Sequence, residues 1–160
     1  MTSGVIVRRG RPDEVMALRH AVLRPHQRRE EVAFSRDHDE GAAHFCAQVD
    51  EGPIVGVASV LPEAPLWRPA AAPAWRLRGM ATAPEWQGKG VGTSVLAAVV
   101  KYVAEAGGGL FWCNARLPAV GFYEQAGMST TGEPWEEPVI GPHIAMLKMV
   151  DPAAAHGHRA

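Results

Sequence analysis

Gln87-Gly88-Lys89-Gly90-Val91-Gly92 lies between a strand-like apolar run, Trp75 to Thr82, and a long helical pattern that starts near Gly90. Glycine at every second position leaves the backbone of this turn unshielded. Its N–H groups, together with the first unpaired N–H groups of the following helix, can converge on one anion. The helix dipole adds roughly half a positive charge at that point, and Lys89 adds a whole one. A pyrophosphate suits such a turn. A P-loop would need Ser or Thr directly after Gly-Lys, but Gly90 follows Lys89. A dinucleotide fingerprint reads G-x-G-x-x-G near the start of a βαβ unit, whereas these glycines read G-x-G-x-G and lie past mid-chain. Taken alone, the turn could also be no more than a tight strand–helix connection.

Working outward, the helical spacing of Val91, Val95, Leu96, Val99, Val100 and Val103 predicts a helix over 90–106, stopped by Gly107-Gly108-Gly109. Leu110 to Cys113 reads as a strand, Pro118 to Gln125 as a short helix, and Met128 to Gly132 with His143 to Val150 as a closing strand pair. Upstream, Val5 to Arg8 reads as a strand, and Pro12-Asp13-Glu14 opens a helix that Arg24-Pro25 ends. Residues 26–42 are polar, with Val32 and Phe34 as apolar anchors, and predict a short helix or mobile loop. His44 to Val49 and Ile54 to Leu61 flank the turn signal Asp50-Glu51-Gly52-Pro53 and read as a β-hairpin. Pro62 to Pro73, with four prolines, is a loop. The pattern predicts a mixed α/β (α+β type) fold whose mostly antiparallel sheet contains one parallel pair, bridged by the 90–106 helix. A single domain is expected over 1–150, followed by a disordered tail, 151–160.

The 160 residues suffice for one proper core, and 47% hydrophobic and 21% charged residues are ordinary for a globular protein. A formal net charge of −1 recommends neither a nucleic acid nor an anionic membrane as partner. Met1-Thr2-Ser3-Gly4 leads into Val5-Ile6-Val7 and arginines without a signal-peptide pattern, and the apolar window Val95 to Val103 is far short of a membrane span. Cys46 and Cys113 read as reduced core residues of a cytoplasmic protein.

The longer segment Leu77-Arg78-Gly79-Met80-Ala81-Thr82-Ala83-Pro84-Glu85-Trp86-Gln87-Gly88-Lys89-Gly90-Val91-Gly92 resembles the acyl-CoA-binding segment of the GNAT N-acetyltransferase superfamily, whose core reads Q/R-x-x-G-x-G/A. Downstream, Asn114, Ala119, Phe122-Tyr123 and Gly127-Met128 resemble the family's second signature, in the same order. Ala17 to Arg24 and the segment Pro142-His143-Ile144-Ala145-Met146 also resemble a small subgroup of the family that ends in a Pro-His-Ile-x-Met strand.

The resemblance implies a GNAT fold with a twisted, mixed sheet, helices on its faces, and a gap where the strands of Met80 and Cys113 splay apart to receive acetyl-CoA. It implies that backbone groups of Met80, Ala81 and Thr82 pair with the pantetheine arm like an added strand, with an N–H near Met80 facing the thioester oxygen. The pyrophosphate would occupy Gln87, Gly88, Lys89, Gly90, Val91, Gly92 and Thr93. Asn114 is the expected side-chain contact to the pantetheine, and Tyr123 the expected general acid at the CoA sulfur. The acceptor is expected to be a small-molecule or peptide amine, with no metal required and a homodimer left open. A non-catalytic acyl-CoA-binding or sensing module on the same fold is the alternative.

An amine with a pKa of about 10.4 is neutral in only about one molecule in 10³ at pH 7, which costs roughly 4 to 5 kcal/mol unless a base helps. Some family members carry a glutamate on the strand before the CoA segment, but here Arg76 falls at that place. His143 is the candidate base, because an imidazole suits proton removal near neutrality. Glu136 and Glu137 could act through water. His20, His26, His38 and His44 have no partner visible in sequence, His156 and His158 lie in the tail, and no metal-ligand spacing is present. Regions 24–42, 62–74 and 133–142, with Arg24, His26, Arg28, Arg29, Glu30, Glu31, Trp67, Arg68 and Trp135, are expected to line the acceptor and show no single charge sign.

Overall fold

The computed structural model describes residues 4–28, 34 and 36–154. The elements in chain order are β1 (Val5–Gly10), α1 (Pro12–Leu23), β2 (Ala43–Val49), β3 (Ile54–Pro62), β4 (Ala74–Thr82), α2 (Val91–Glu105), β5 (Gly109–Arg116), α3 (Val120–Gln125), β6 (Ser129–Glu137) and β7 (Gly141–Val150). Among the described residues seven strands form one sheet in the order β1-β2-β3-β4-β5-β7-β6. The pairs β1–β2, β2–β3, β5–β7 and β6–β7 are antiparallel, and β4–β5 is parallel. The mixed sheet, with a parallel pair whose connection is α2, is as expected from the sequence.

The chain divides into two compact units, one from Met1–Leu61 and Leu77–Val99, the other from Pro62–Arg76 and Val100–Ala160. In the first, α1 begins where Pro12 supplies the preset backbone angle and Glu14 accepts the Arg11 N–H at 2.8 Å. Its buried face joins Val15 to Cys46, Val57 and Ala81, with Leu18, Val22, Leu23 and Ile54 packed around them. Each fully buried aliphatic side chain of this kind contributes roughly 1.5–3 kcal/mol. Burial also raises the Cys46 thiol to about 11, so it sits in this cluster as a small apolar group. The predicted 26–42 segment lies partly outside the described residues, as do Arg29, Glu30 and Glu31.

In the second unit, Ala74, Leu110 and Trp112 form a buried cluster with Ala64, Ala71 and Leu147. The β4–β5 ladder runs through Ala74↔Leu110, Trp75↔Phe111 and Arg76↔Trp112. Trp75 is held at two points: its indole N–H donates to the Gly108 carbonyl at 3.3 Å, and its ring meets Tyr102 edge-on at 5.8 Å.

Two expectations change here. β5 continues to Arg116, so Asn114 lies inside the strand rather than after it. Residues 133–142 are not an open loop, because β6 runs to Glu137 and β7 starts at Gly141. Gly132 and Pro134 suggest a break, and they coincide with a register shift between Thr131 and Trp135, but the pairs Trp135↔His143, Glu136↔Pro142 and Glu137↔Gly141 carry the ladder past it. Ala153 N–H donates to the Ala104 carbonyl at 2.8 Å, while residues 155–160, with His156 and His158, lie outside the described residues.

Candidate active site

In the first unit, β4 ends by leading directly into the glycine turn. Gly79 has φ +67°, a left-handed residue that kinks the strand just before Met80, and a Cβ there would stand 2.9 Å from Arg19 Nε. Ala81 points into the core at 5% exposure, which by strand alternation sends Met80 and Thr82 to the other face. Ala83 N–H donates to the Val55 carbonyl at 2.8 Å, and Pro84–Trp86 form a single 3₁₀ turn. The Gln87 side chain then donates back to the Thr82 carbonyl at 3.0 Å, closing the segment on itself.

Gly88 and Gly90 have φ of +75° and +85°, and no atom lies within 4 Å of a Cβ built on either. Backbone torsion, rather than lack of room, is therefore what demands glycine at both positions. The first helical bond of α2 runs from Ser94 N–H to the Gly90 carbonyl at 3.1 Å. The N–H groups of Val91, Gly92 and Thr93 consequently have no acceptor within the helix. No acidic residue stands in this first turn, Val91 is buried as its anchor, and the Lys89 ammonium lies 5.7 Å from the Trp86 ring centre. Unpaired donors, the positive helix end and an ammonium fit a doubly charged phosphate ester.

The other expected residues lie in the second unit. Asn114 is exposed on β5 opposite Ala145, and Arg116 is opposite His143. Asn114 and His143 therefore occupy the same face of the β5–β7 pair as diagonal neighbours. Cys113 points to the opposite face, where burial pushes its thiol up to about 12.

Tyr123 is held in α3 at 8% exposure. Its carbonyl accepts the N–H groups of Ala126 and Met128, at 3.0 and 3.1 Å, and Lys148 Nζ donates to the Ala126 carbonyl at 2.8 Å, which closes the helix end. Its ring meets Phe122 edge-on at 5.1 Å. Burial, with a smaller contribution from Cys113, pushes the phenol well above its ordinary pKa, so the hydroxyl keeps its proton. A protonated, buried phenol is a hydrogen-bond donor.

His143 is 7% exposed, its Nδ1 lies 2.8 Å from the Gly141 carbonyl, and its ring stacks on Trp135 at 5.9 Å with 27° between planes. A carbonyl can only accept, so Nδ1 carries the hydrogen and Nε2 of the neutral ring is the lone-pair nitrogen. No hydrogen bond or ring contact joins Tyr123 to His143 among the described residues.

Two arrangements have no signature in the sequence. Arg76 pairs with Glu63 at 3.1 Å and lies 5.2 Å from the Trp112 ring centre, while the Trp112 indole donates to the Glu63 carbonyl at 2.7 Å. His44 does have partners: Nδ1 is 2.6 Å from Ser59 Oγ and Nε2 is 2.8 Å from the Asp37 carbonyl. Both sets join residues far apart in sequence, which no local pattern reports. No helix of the described residues is long and apolar enough to cross a membrane.

Residues 13–128 match the model of the acetyltransferase (GNAT) family. The chain is similar to the uncharacterized N-acetyltransferase YitI of Bacillus subtilis (strain 168), at 37% identity over 137 residues, spanning 85% of this chain and 90% of that protein. Two solved structures share the fold at low identity. The ribosomal-protein-S18-alanine N-acetyltransferase from Escherichia coli has a TM-score of 0.71 and 15% identity, over 95% of this chain and 97% of that one. An aminoglycoside 6′-N-acetyltransferase complexed with coenzyme A has a TM-score of 0.68 and 16% identity, over 94% of this chain and 99% of that one. With the glycine turn at the start of α2 in a sheet of this order, these matches establish that the chain belongs to the acetyltransferase (GNAT) family and is an acyltransferase.

Proposed function

We propose that the protein is an acetyl-CoA-dependent N-acetyltransferase that moves the acetyl group to a primary amine by direct attack in a ternary complex. The observation that carries this reading is the turn from Gln87 to Thr93, where left-handed Gly88 and Gly90 precede a helix start with unused N–H donors. In this reading the turn holds the pyrophosphate of CoA. Backbone groups of Met80, Ala81 and Thr82 and the side chain of Asn114 hold the pantetheine.

His143 Nε2 removes a proton from the ammonium of the acceptor, and the neutral nitrogen attacks the thioester carbonyl. A C–N bond forms while the carbonyl oxygen takes up negative charge, which a backbone N–H near Met80 stabilises. The intermediate collapses with cleavage of the C–S bond. Tyr123 donates a hydrogen bond to the leaving thiolate, and the second proton of the former ammonium, which the nitrogen loses as the amide forms, ends on that sulfur to give the free thiol of CoA.

The same reading treats residues 1–150 as one domain, supported by the family match that runs through both compact units and by the single sheet. It places the protein in the cytoplasm and the chain in the subgroup ending in Pro142-His143-Ile144-Ala145-Met146. Its acceptor is a small-molecule or peptide amine.

The test is release of CoA thiol from acetyl-CoA in the presence of a panel of amines, amino acids, polyamines and peptide N-termini. Amine-dependent thiol release with a matching acetylated product supports the proposal. CoA binding without thiol release from any of these amines would favour the non-catalytic acyl-CoA-binding module.

A further inference from the structure

We infer that Trp135 and the carbonyl of Gly141 are positioning groups that hold the His143 ring in one orientation and one tautomer, with Nε2 presented to the acceptor amine. The inference rests on the reading of His143 as the base. His143 sits on β7 between two partners in register, Arg116 on β5 and Trp135 on β6. The Trp135 indole lies against the imidazole, and its Nε1 donates to Glu137 Oε2 at 3.0 Å, which fixes the plane of the indole from the same strand. Glu137 in turn is paired with Gly141, the residue whose carbonyl receives the Nδ1 hydrogen. Three constraints therefore meet on one ring: its stacking face, its Nδ1 hydrogen and the strand register beneath it.

The turn that joins β6 to β7 carries a further signature. Val139 has φ +74° and is 78% exposed, so a β-branched residue holds a left-handed conformation with no burial of its own side chain to offset it. Gly141 follows at φ +94°. Strained backbone of this kind persists where the surrounding structure fixes it, and it lies two residues before the Gly141 carbonyl that binds Nδ1. Charged groups on the ring's face of the sheet are Arg116 from β5 and Glu137 from β6, while Glu136, paired with Pro142, lies on the other face. A base gains from such restraint because a neutral imidazole free to rotate or exchange tautomers offers the lone pair to the amine only part of the time.

The experiment combines nitrogen-15 NMR of histidine-labelled protein, with the His143 signals assigned by His143→Gln, and kinetics with acetyl-CoA and an amine found by the panel. The wild-type ring is expected as a single Nδ1–H tautomer. Trp135→Ala should give mixed tautomers and lower kcat about tenfold with KM for both substrates little changed, and Trp135→Phe should restore both. A wild-type ring protonated on Nε2 would overturn the inference, as would an unaltered tautomer and kcat in Trp135→Ala while His143→Gln is inactive. Unchanged turnover in His143→Gln would instead remove the base reading itself, and the positioning role with it.

Discussion

Gly56 on β3 and Val91 at the start of α2 approach so closely that a Cβ built on the glycine would stand 2.7 Å from Val91 Cγ1. The same Cβ would lie 3.4 Å from both Val95 and Ala47. Gly56 is thus the seat on which the first turn of α2 rests, and that first turn carries the unused N–H groups of Val91, Gly92 and Thr93. The position of the Gln87–Thr93 turn depends on a missing methyl group on β3, with β4 between them in sequence.

Gly56→Ala should therefore destabilise the protein by roughly 1–3 kcal/mol, the usual cost of an added methyl in a packed core. It should also weaken CoA binding, because Val91 must move to make room. Val91→Ala in the same chain should recover part of both losses. Urea denaturation and calorimetric CoA titration of the two single variants and the double variant would test this. A Gly56→Ala protein as stable as the wild type would show that α2 is not seated in this way.

Tyr123→Phe removes one hydroxyl and keeps the ring against Phe122. In water, a phenol near 10 gives its proton to the conjugate base of a thiol near 8.5 only uphill, by roughly 2 kcal/mol. Burial pushes Tyr123 higher still, so in the proposed mechanism it contributes a hydrogen bond to sulfur that strengthens as negative charge develops there. Turnover should fall at least about tenfold, with acetyl-CoA affinity little changed, as read from single-turnover thiol release and equilibrium binding. Turnover equal to the wild type would remove Tyr123 from the mechanism.

The parts legible in the sequence were those whose cause is local. The Gln87–Thr93 turn follows from glycines that need left-handed backbone and from the apolar spacing of the helix behind them, and the short helix that carries Tyr123 follows from the Pro118 and Gly127 that bound it. Pairings that form only when distant strands meet left no local trace. Trp135 reaches His143 because the β6 register shifts at Gly132 and Pro134, residues that in sequence argue for a loop. Glu63 finds Arg76, and His44 finds Ser59 and Asp37, only through sheet neighbours and a connecting segment.

That last cluster makes stability depend on pH in a direction the geometry fixes. Because the Asp37 carbonyl can only accept, His44 Nε2 carries the hydrogen and Nδ1 accepts from the Ser59 hydroxyl. Ser59 Oγ accepts in turn from Arg19 Nη2 at 3.1 Å, and Arg19 Nη1 binds Asp37 Oδ2 at 2.8 Å. Asp37 Oδ2 also takes the Phe34 N–H at 2.9 Å, and the Arg19 guanidinium lies 3.9 Å from the Phe34 ring centre, directly under Gly79 of β4. A proton on His44 Nδ1 would reverse the Ser59 bond, turning the hydroxyl from donor to acceptor, and add a charge beside Arg19. Burial is the largest reason that the imidazole's pKa is lowered in the folded protein. The unfolded imidazole, at about 6.5, therefore binds its proton first as the pH falls, and stability from this group is complete above that value and lost below it. Urea denaturation at fixed ionic strength should show stability falling from pH 7 to pH 5, with a slope from this group of at most about 1.4 kcal/mol per pH unit. Glu14, held down to about 2 mainly by its hydrogen bond from Arg8, is a depressed acid whose contribution is lost only as the pH falls from its unfolded value of 4.5 towards that figure. The two windows open at different pH values, near 6.5 for His44 and near 4.5 for Glu14. His44→Gln should lower stability at pH 7 and flatten the dependence between pH 7 and 5, and an equally steep slope in that variant would place the titrating group elsewhere.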